Sequence, residues 1–314
     1  MRVAFAGSTI GSFWYEAAVL LQKATARYGV EMDIDTHTTD FNNVLAVGRK
    51  EKDVGVTLPL FLDLAQRRTS VYANEPLAEL RVIAALNKPT WLAAAVDRAS
   101  GITTLREIAE RQYPWRVALP PCDNLAGVYI DKILNGHGIT RDGLSAWGGA
   151  EFHPTAIGPR DDEGPWPMRT ITPELGRNGT VNGFFMYVSW VSAWARDLTT
   201  FLDLRFIAFD ETVLDEVIAG EGGGVKLTLP EGLFPGSERD LPAAGWRHEY
   251  VYGTVDTPDE LVDVILRSLE DERILDNAHG FSHAAFHPPV LPDGLRLHRV
   301  AERYYARRAT LAVT

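Results

Sequence analysis

The first 59 residues hold three short apolar runs separated by two helix-like stretches, and that alternation leaves few folds open to the chain. The strand-like MRVAFA meets the loop Gly7-Ser8-Thr9-Ile10-Gly11-Ser12-Phe13-Trp14-Tyr15, and an apolar-periodic stretch from Ala17 to Tyr28 follows. VEMDID, the polar loop Thr36-His37-Thr38-Thr39-Asp40-Phe41-Asn42-Asn43, a second helical pattern and DVGVTLP complete the run. Apolar runs of this length alternating with helical periodicity predict a β-α-β-α-β arrangement on a parallel sheet. In open sheets of this kind ligands sit beyond the carboxyl ends of the strands, which is where the hydroxyl- and amide-rich loops fall. A small-molecule site is therefore indicated before any chemistry is.

The rest of the chain continues the theme. LRVIAAL (80–86) and TWLAAAV (90–96) predict two further buried strands split by Asn87-Lys88-Pro89, and Asp97 to Gly101 predicts a crossover. A second α/β block follows: helix-like TTLREIAER, strand WRVAL (115–119), the loop Pro120-Pro121-Cys122-Asp123-Asn124, and a helix to about Asn135. Residues 153–179, rich in Pro, Gly and charge, predict a long loop. Thr180 to Val188 predicts a strand, followed by a helix carrying Trp190 and Trp194, the strand LRFIAF (204–209) and a helix from Thr212 to Ala219. KLTLPEGLFPG and HEYVYGTVD predict extended segments that return the chain to the first domain. Thr257-Pro258-Asp259-Glu260 combines an N-cap, a first-turn proline and acidic residues at the positive dipole end of a predicted helix. A closing helix is expected from about Leu297 to Ala309. A chain of 314 residues can bury two cores. The expected division is 1–96 plus 226–314 for domain I and 97–225 for domain II, with its long loop at about 153–179.

Composition excludes several classes. A net charge of -11 argues against nucleic acid or an anionic membrane surface as partner, because both require a basic face. No apolar run reaches the roughly 20 residues that span a bilayer, so direct membrane insertion is not expected. The single Cys122 excludes an intramolecular disulfide and says little about compartment. The Gly7 to Gly11 spacing is not the dinucleotide fingerprint, no Walker A motif occurs, and no cofactor is expected.

The candidate site residues each have a plainer reading beside the functional one. Ser8, Thr9 and Ser12 stand at a helix start suited to a carboxylate or phosphate, or simply form a turn and cap. Phe13, Trp14 and Tyr15 cannot all enter one core from consecutive helical positions, so at least one is expected to face the cleft, Phe13 and Trp14 being the candidates for ligand contact, unless two are core and one merely exposed. Thr39 and Asn43 open the second helix, where Asp40 is a good cap, and Thr57 ends a strand before Pro59. Pro121, Cys122, Asp123 and Asn124 lie between strand and helix in the second block, where a cysteine thiolate could serve as nucleophile if a base were supplied. Phe185, Tyr187 and Trp190 either stack on ligand or pack in the core. His279, His283, His287 and His298 have weak metal-like spacing, broken by Gly280 and Pro288-Pro289, and no metal site is expected from them. Arg169 and Arg177 suit carboxylate clamping, though surface arginines are commoner.

Taken in order, several segments resemble the TAXI-type solute-binding subunits of TRAP transporters. These are Gly7 to Tyr15, Thr38-Thr39-Asp40-Phe41-Asn42-Asn43, Asp53-Val54-Gly55-Val56-Thr57, Asn182-Gly183-Phe184-Phe185, Leu229 to Gly236 and Leu297 to Tyr305. The family's Gly-Ser-Gly loop in the second domain is here Pro121-Cys122-Asp123-Asn124, and the Asp of its Asp-Ala-Phe-Phe strand is Asn182. The resemblance implies a type II periplasmic-binding-protein fold, with two α/β domains of mixed, mainly parallel sheets flanking a central cleft. It implies capture of a small organic anion or zwitterion, carboxylate-containing, by hinge closure, and delivery to membrane transporter subunits. It also implies a place outside the cytoplasm once an export signal has been removed; a chain native as written would act as a cytoplasmic ligand sensor. The rival from another class is a lyase or transferase on the same fold using Cys122 or Asp123, but no nucleophile, base and orienter stand within short spacing.

Overall fold

The computed structural model describes residues 1–8, 13–37, 41–86, 88–120, 125–152, 179–189, 192–220, 224–270, 289 and 291–311. The chain begins β1 (Arg2–Ala6), α1 (Phe13–Thr25), β2 (Glu31–Asp35), α2 (Phe41–Gly48), β3 (Val54–Thr57), α3 (Pro59–Arg67) and β4 (Leu80–Leu86). It continues with β5 (Thr90–Asp97), α4 (Leu105–Glu110), β6 (Arg116–Ala118), α5 (Leu125–Gly136), α6 (Arg141–Ala146), β7 (Ala150–Phe152) and β8 (Gly183–Val188). Then come α7 (Ala193–Phe201), β9 (Leu204–Ile207), α8 (Glu211–Ile218), β10 (Val225–Leu229) and β11 (Leu241–Trp246). The last elements are β12 (Glu249–Thr254), α9 (Asp259–Leu269) and α10 (Arg299–Leu311).

The contacts divide the chain into two compact units. The first comprises Met1–Lys88 and Arg247–Thr314, the second Pro89–Gly220 and Gly224–Trp246. Strand pairing explains why these boundaries differ from the expected 96/97 and 225/226. β5 belongs wholly to the second sheet, where it pairs with β8, β9 and β11. β10 pairs with β11 in that same sheet, so KLTLPEGLFPG does not return the chain to the first unit; the return comes at Arg247, just before β12.

In the first unit the sheet order is β2-β1-β3-β12-β4. β1 lies parallel to β2 and β3, as the opening alternation requires, and β12 enters antiparallel to both β3 and β4. Every residue of β3 and of β12 is buried, as befits inner strands covered on both faces. Thr257, read from sequence as the cap of α9, instead accepts the Thr254 N–H at 2.8 Å and closes the turn after β12, while Pro258 stands at the cap position. The closing helix is capped differently again: His298, buried, accepts the Val300 N–H on Nδ1 and hands its own N–H to Val82 O.

The second sheet runs β10-β11-β5-β8-β6-β7, with β9 also on β5. β5 is its spine: Thr90 to Val96 are buried, and its alanines at 93 to 95 are small enough for neighbours to approach closely. Trp91, Ala93 and Ala95 face one core with Phe184, Met186, Val188, Phe206 and Phe234. Burying such large side chains contributes about 1.5–3 kcal/mol each. Gly183, at the start of β8, is required by close approach: a Cβ there would lie 2.2 Å from Trp115 Nε1 and 2.3 Å from Ala95 O. Beside it Asn182 ties strands rather than ligand, its Oδ1 accepting the Arg116 N–H at 2.7 Å and its Nδ2 donating to the Tyr113 hydroxyl at 3.1 Å. Gly183→Ala is expected to cost about 1–3 kcal/mol by overpacking, read as a lowered unfolding midpoint.

The second unit also holds a buried histidine in one fixed tautomer. Asp210 N–H donates to His137 Nε2 at 2.9 Å, so Nδ1 carries the proton that reaches Ile133 O at 2.7 Å. Burial depresses the His137 pKa, and the folded state therefore needs the neutral ring. Its stabilising contribution is complete above the unfolded value of about 6.5 and is lost as pH falls through that value toward the folded one. Thermal unfolding between pH 7.5 and 5 should show this acid-side loss, with a shallower slope in His137→Gln.

Candidate functional site

The carboxyl edge of the first sheet gathers polar groups that a sheet edge would ordinarily leave to solvent. β1 ends at Ala6, β3 at Thr57 and β4 at Leu86, while β12 starts there with Glu249 opposite Leu86 and Tyr250 opposite Thr57. Gly7 must be glycine because a Cβ would meet Ile34 Cγ2 at 2.7 Å and Asp35 O at 2.8 Å, and its N–H donates to Asp35 O. Ser8 follows, buried at the edge.

Asn43, in the first turn of α2 and fully buried, sends its amide N–H groups to Gly7 O at 2.5 Å and Val56 O at 3.3 Å. It thereby fixes the ends of β1 and β3 relative to each other. Its Oδ1 and the Thr57 hydroxyl are buried and find no hydrogen-bond partner among the described residues. Buried polar groups left unpaired cost about 1–3 kcal/mol each, so these two call for an explanation beyond packing.

Two residues that the sequence did not single out dominate the electrostatics. Lys88, following β4, places Nζ 2.9 Å from Glu249 Oε1, and both side chains are almost fully buried, at 6% and 2% exposure. Burial pushes the Lys88 pKa down and the Glu249 pKa up, each opposed by the charge of the other. Trp14 stands close enough to the carboxylate to favour its ionised form. The indole itself is buried edge-on against Phe61, 6.2 Å between centroids, so Trp14 is at once core and neighbour of the pair. Glu249 Oε2 has no partner among the described residues. The sequence signal was faint: a lysine between two apolar strands, and a glutamate heading an apolar one.

The second unit has its own edge. β6 and β8 run parallel, and Pro120 and Ser189 follow close on their carboxyl ends. Arg141, the first residue of α6, donates to Pro120 O at 3.1 Å and is held by Asp131 and Glu151. Phe185 and Tyr187 share one face of β8 by strand alternation. Phe185 is fully buried against Phe209 at 5.2 Å and is a core residue rather than a wall, whereas Tyr187, one step nearer the edge, is half-buried. Thr90 at the start of β5 is buried, its hydroxyl without a partner among the described residues.

Thr9, Ser12, Thr39, Pro121, Cys122, Asp123, Asn124 and Trp190, the side chain of Phe13, the segment 153–178, Arg169, Arg177, His279, His283 and His287 lie outside the described residues. Among the described residues no group of three or more His, Cys, Asp or Glu could hold a metal ion, and no helix is long and apolar enough to cross a membrane. An open recess of about 620 Å³ is lined by Asp259, Asp263, Arg303 and Arg307 at the start of α9, which follows the opposite end of β12. Its Asp259 is already engaged by Arg299 and Arg303.

Two α/β units, one with a parallel run joined by a returning antiparallel strand, define the type II periplasmic-binding-protein fold. No protein-family model matches the chain, and no curated protein matches it by sequence. Among solved structures it is similar to MatC from Rhodopseudomonas palustris with bound malate, at 12% identity and TM-score 0.54, covering 99% of each chain. It is also similar to the periplasmic binding protein BugD, at 11% identity and TM-score 0.52 over 99% of this chain and 96% of that one. A structure described as a periplasmic transporter matches at 12% identity and TM-score 0.52, over 99% and 92% of the two chains.

Removing one member of a buried pair strands the other charge. Lys88→Met is expected to destabilise the protein by about 3–5 kcal/mol, and Lys88→Met/Glu249→Leu to recover most of that loss, read from chemical denaturation midpoints.

Proposed function

We propose that this protein is a solute-binding protein for a small organic anion or zwitterion bearing a carboxylate and an apolar part. The observation that carries the reading is the carboxyl edge of the first sheet. There Asn43 and Thr57 keep buried polar atoms unpaired beside Ser8, with Trp14 and the Lys88–Glu249 pair at the same edge. An edge built only for stability would pair these groups or replace them with apolar ones. The fold neighbour with bound malate supports a carboxylate of that size.

In this reading Ser8, Thr9, Ser12 and Thr39 supply donors from the first unit, and the loop Pro121-Cys122-Asp123-Asn124 and Tyr187 supply contacts from the second. Hinge closure, which the TAXI resemblance implies, would let the solute select the closed state. Delivery to a TRAP-type membrane transporter, as the TAXI resemblance implies, and a place outside the cytoplasm complete the reading.

Native mass spectrometry of gently purified protein is expected to reveal a co-purified small acid. Thermal shift against three- to five-carbon carboxylates and amino acids is expected to find a stabiliser, since ligand at one hundred times its dissociation constant adds about 2.7 kcal/mol. Thr57→Val should weaken binding about tenfold with the fold intact. No co-purified compound and no shift with any candidate would falsify the reading, and turnover of the bound compound would replace it with an enzymatic one.

A further inference from the structure

We propose that Glu249 reads a hydrogen-bond donor on the bound solute, a hydroxyl or an ammonium group, through its Oε2 oxygen. The inference rests on the solute-capture reading and deepens it, because it says which part of the solute the first unit recognises. Glu249 is 2% exposed; Oε1 is taken by Lys88 at 2.9 Å, the Trp14 indole stands close to the carboxylate, and Oε2 makes no hydrogen bond among the described residues. A carboxylate oxygen accepts and does not donate, so only a group carrying a proton can satisfy it.

Other unpaired groups at the same sheet edge are acceptors too. Asn43 has spent both amide protons on Gly7 O and Val56 O, which leaves Oδ1, another acceptor. Thr57 adds a hydroxyl that can accept as well as donate. The unpaired atoms of Glu249 and Asn43 are thus both acceptors, which suit a donor on the solute rather than its carboxylate. Lys88 makes the arrangement tolerable for an anionic solute by balancing the Glu249 charge, so the donor can stand on a molecule whose carboxylate is held elsewhere. The chemical class that follows is a hydroxy acid or an amino acid, in preference to the same acid without the substituent.

The test is isothermal titration of the full chain with matched probes: L-malate, succinate and oxaloacetate, and then alanine, lactate, propionate and pyruvate. Malate should bind about tenfold to a hundredfold more tightly than succinate, and oxaloacetate, whose keto oxygen only accepts, should resemble succinate. The second set should rank the same way, alanine or lactate above propionate and pyruvate. In Lys88→Met/Glu249→Leu, with folding checked by circular dichroism, the preference should vanish; should that variant not fold, the wild-type rankings decide alone. Equal affinities within every set, or a preference that survives in the folded double variant, would overturn the role of Glu249 and leave solute capture standing. Absence of binding to all seven probes, together with no co-purified compound, would instead remove the capture reading, and this inference with it.

Discussion

The first unit is completed by a strand that comes from the far side of the sequence. β12 inserts antiparallel between β3 and β4, and through that one double pairing Glu249 arrives opposite Leu86 and within reach of Lys88, 161 residues away. Without β12, β3 and β4 would each expose an unpaired edge, and the core face carrying Tyr250 and Tyr252 would be missing. The burial that makes β12 a good inner strand also strips water from Glu249. The ion pair is thus a consequence of the topology: once a glutamate starts this strand, a cation must stand at the end of the next.

The elements that could be read from sequence are those whose apolar period is local. β1 to β3 alternate with α1 and α2 in an order that fixes a parallel sheet, and the structure pairs β1 parallel to both β2 and β3. β11 was not legible because Leu-Pro-Ala-Ala-Gly-Trp looks like a turn. Pro242 is tolerated because that half of β11 pairs with β10 on one side, while β5 pairs only with Gly245 and Trp246. α6 and β7 are too short to show a period. Missing β11 displaced the return to the first unit, since β10 then lacked its partner and seemed to lead back directly.

Of the candidate site, the polar groups at strand ends were legible in sequence and the buried charges were not. Ser8, Asn43 and Thr57 follow from where hydroxyls and amides fall at strand ends, which is a local rule. Asn43 nevertheless does something the rule does not foresee, holding two strand ends together with the same amide whose oxygen is left over. Lys88 and Glu249 had no local rule at all, because a lysine and a glutamate in sequence read as solvated until a long-range pairing buries them. Phe185 and Tyr187 show the reverse: alternation puts them on one face, and only Phe209 determines that the first is core.

Arg141 has a different kind of consequence. It grips the loop of the second unit by the Pro120 carbonyl, a backbone atom, and is itself held by Asp131 and Glu151, which lie outside that loop. The point of departure of residues 121–124 is therefore set independently of their side chains. Such an anchor fixes where the chain leaves β6 whatever side chains follow Pro120, so substitutions beyond that point leave the attachment itself unaltered.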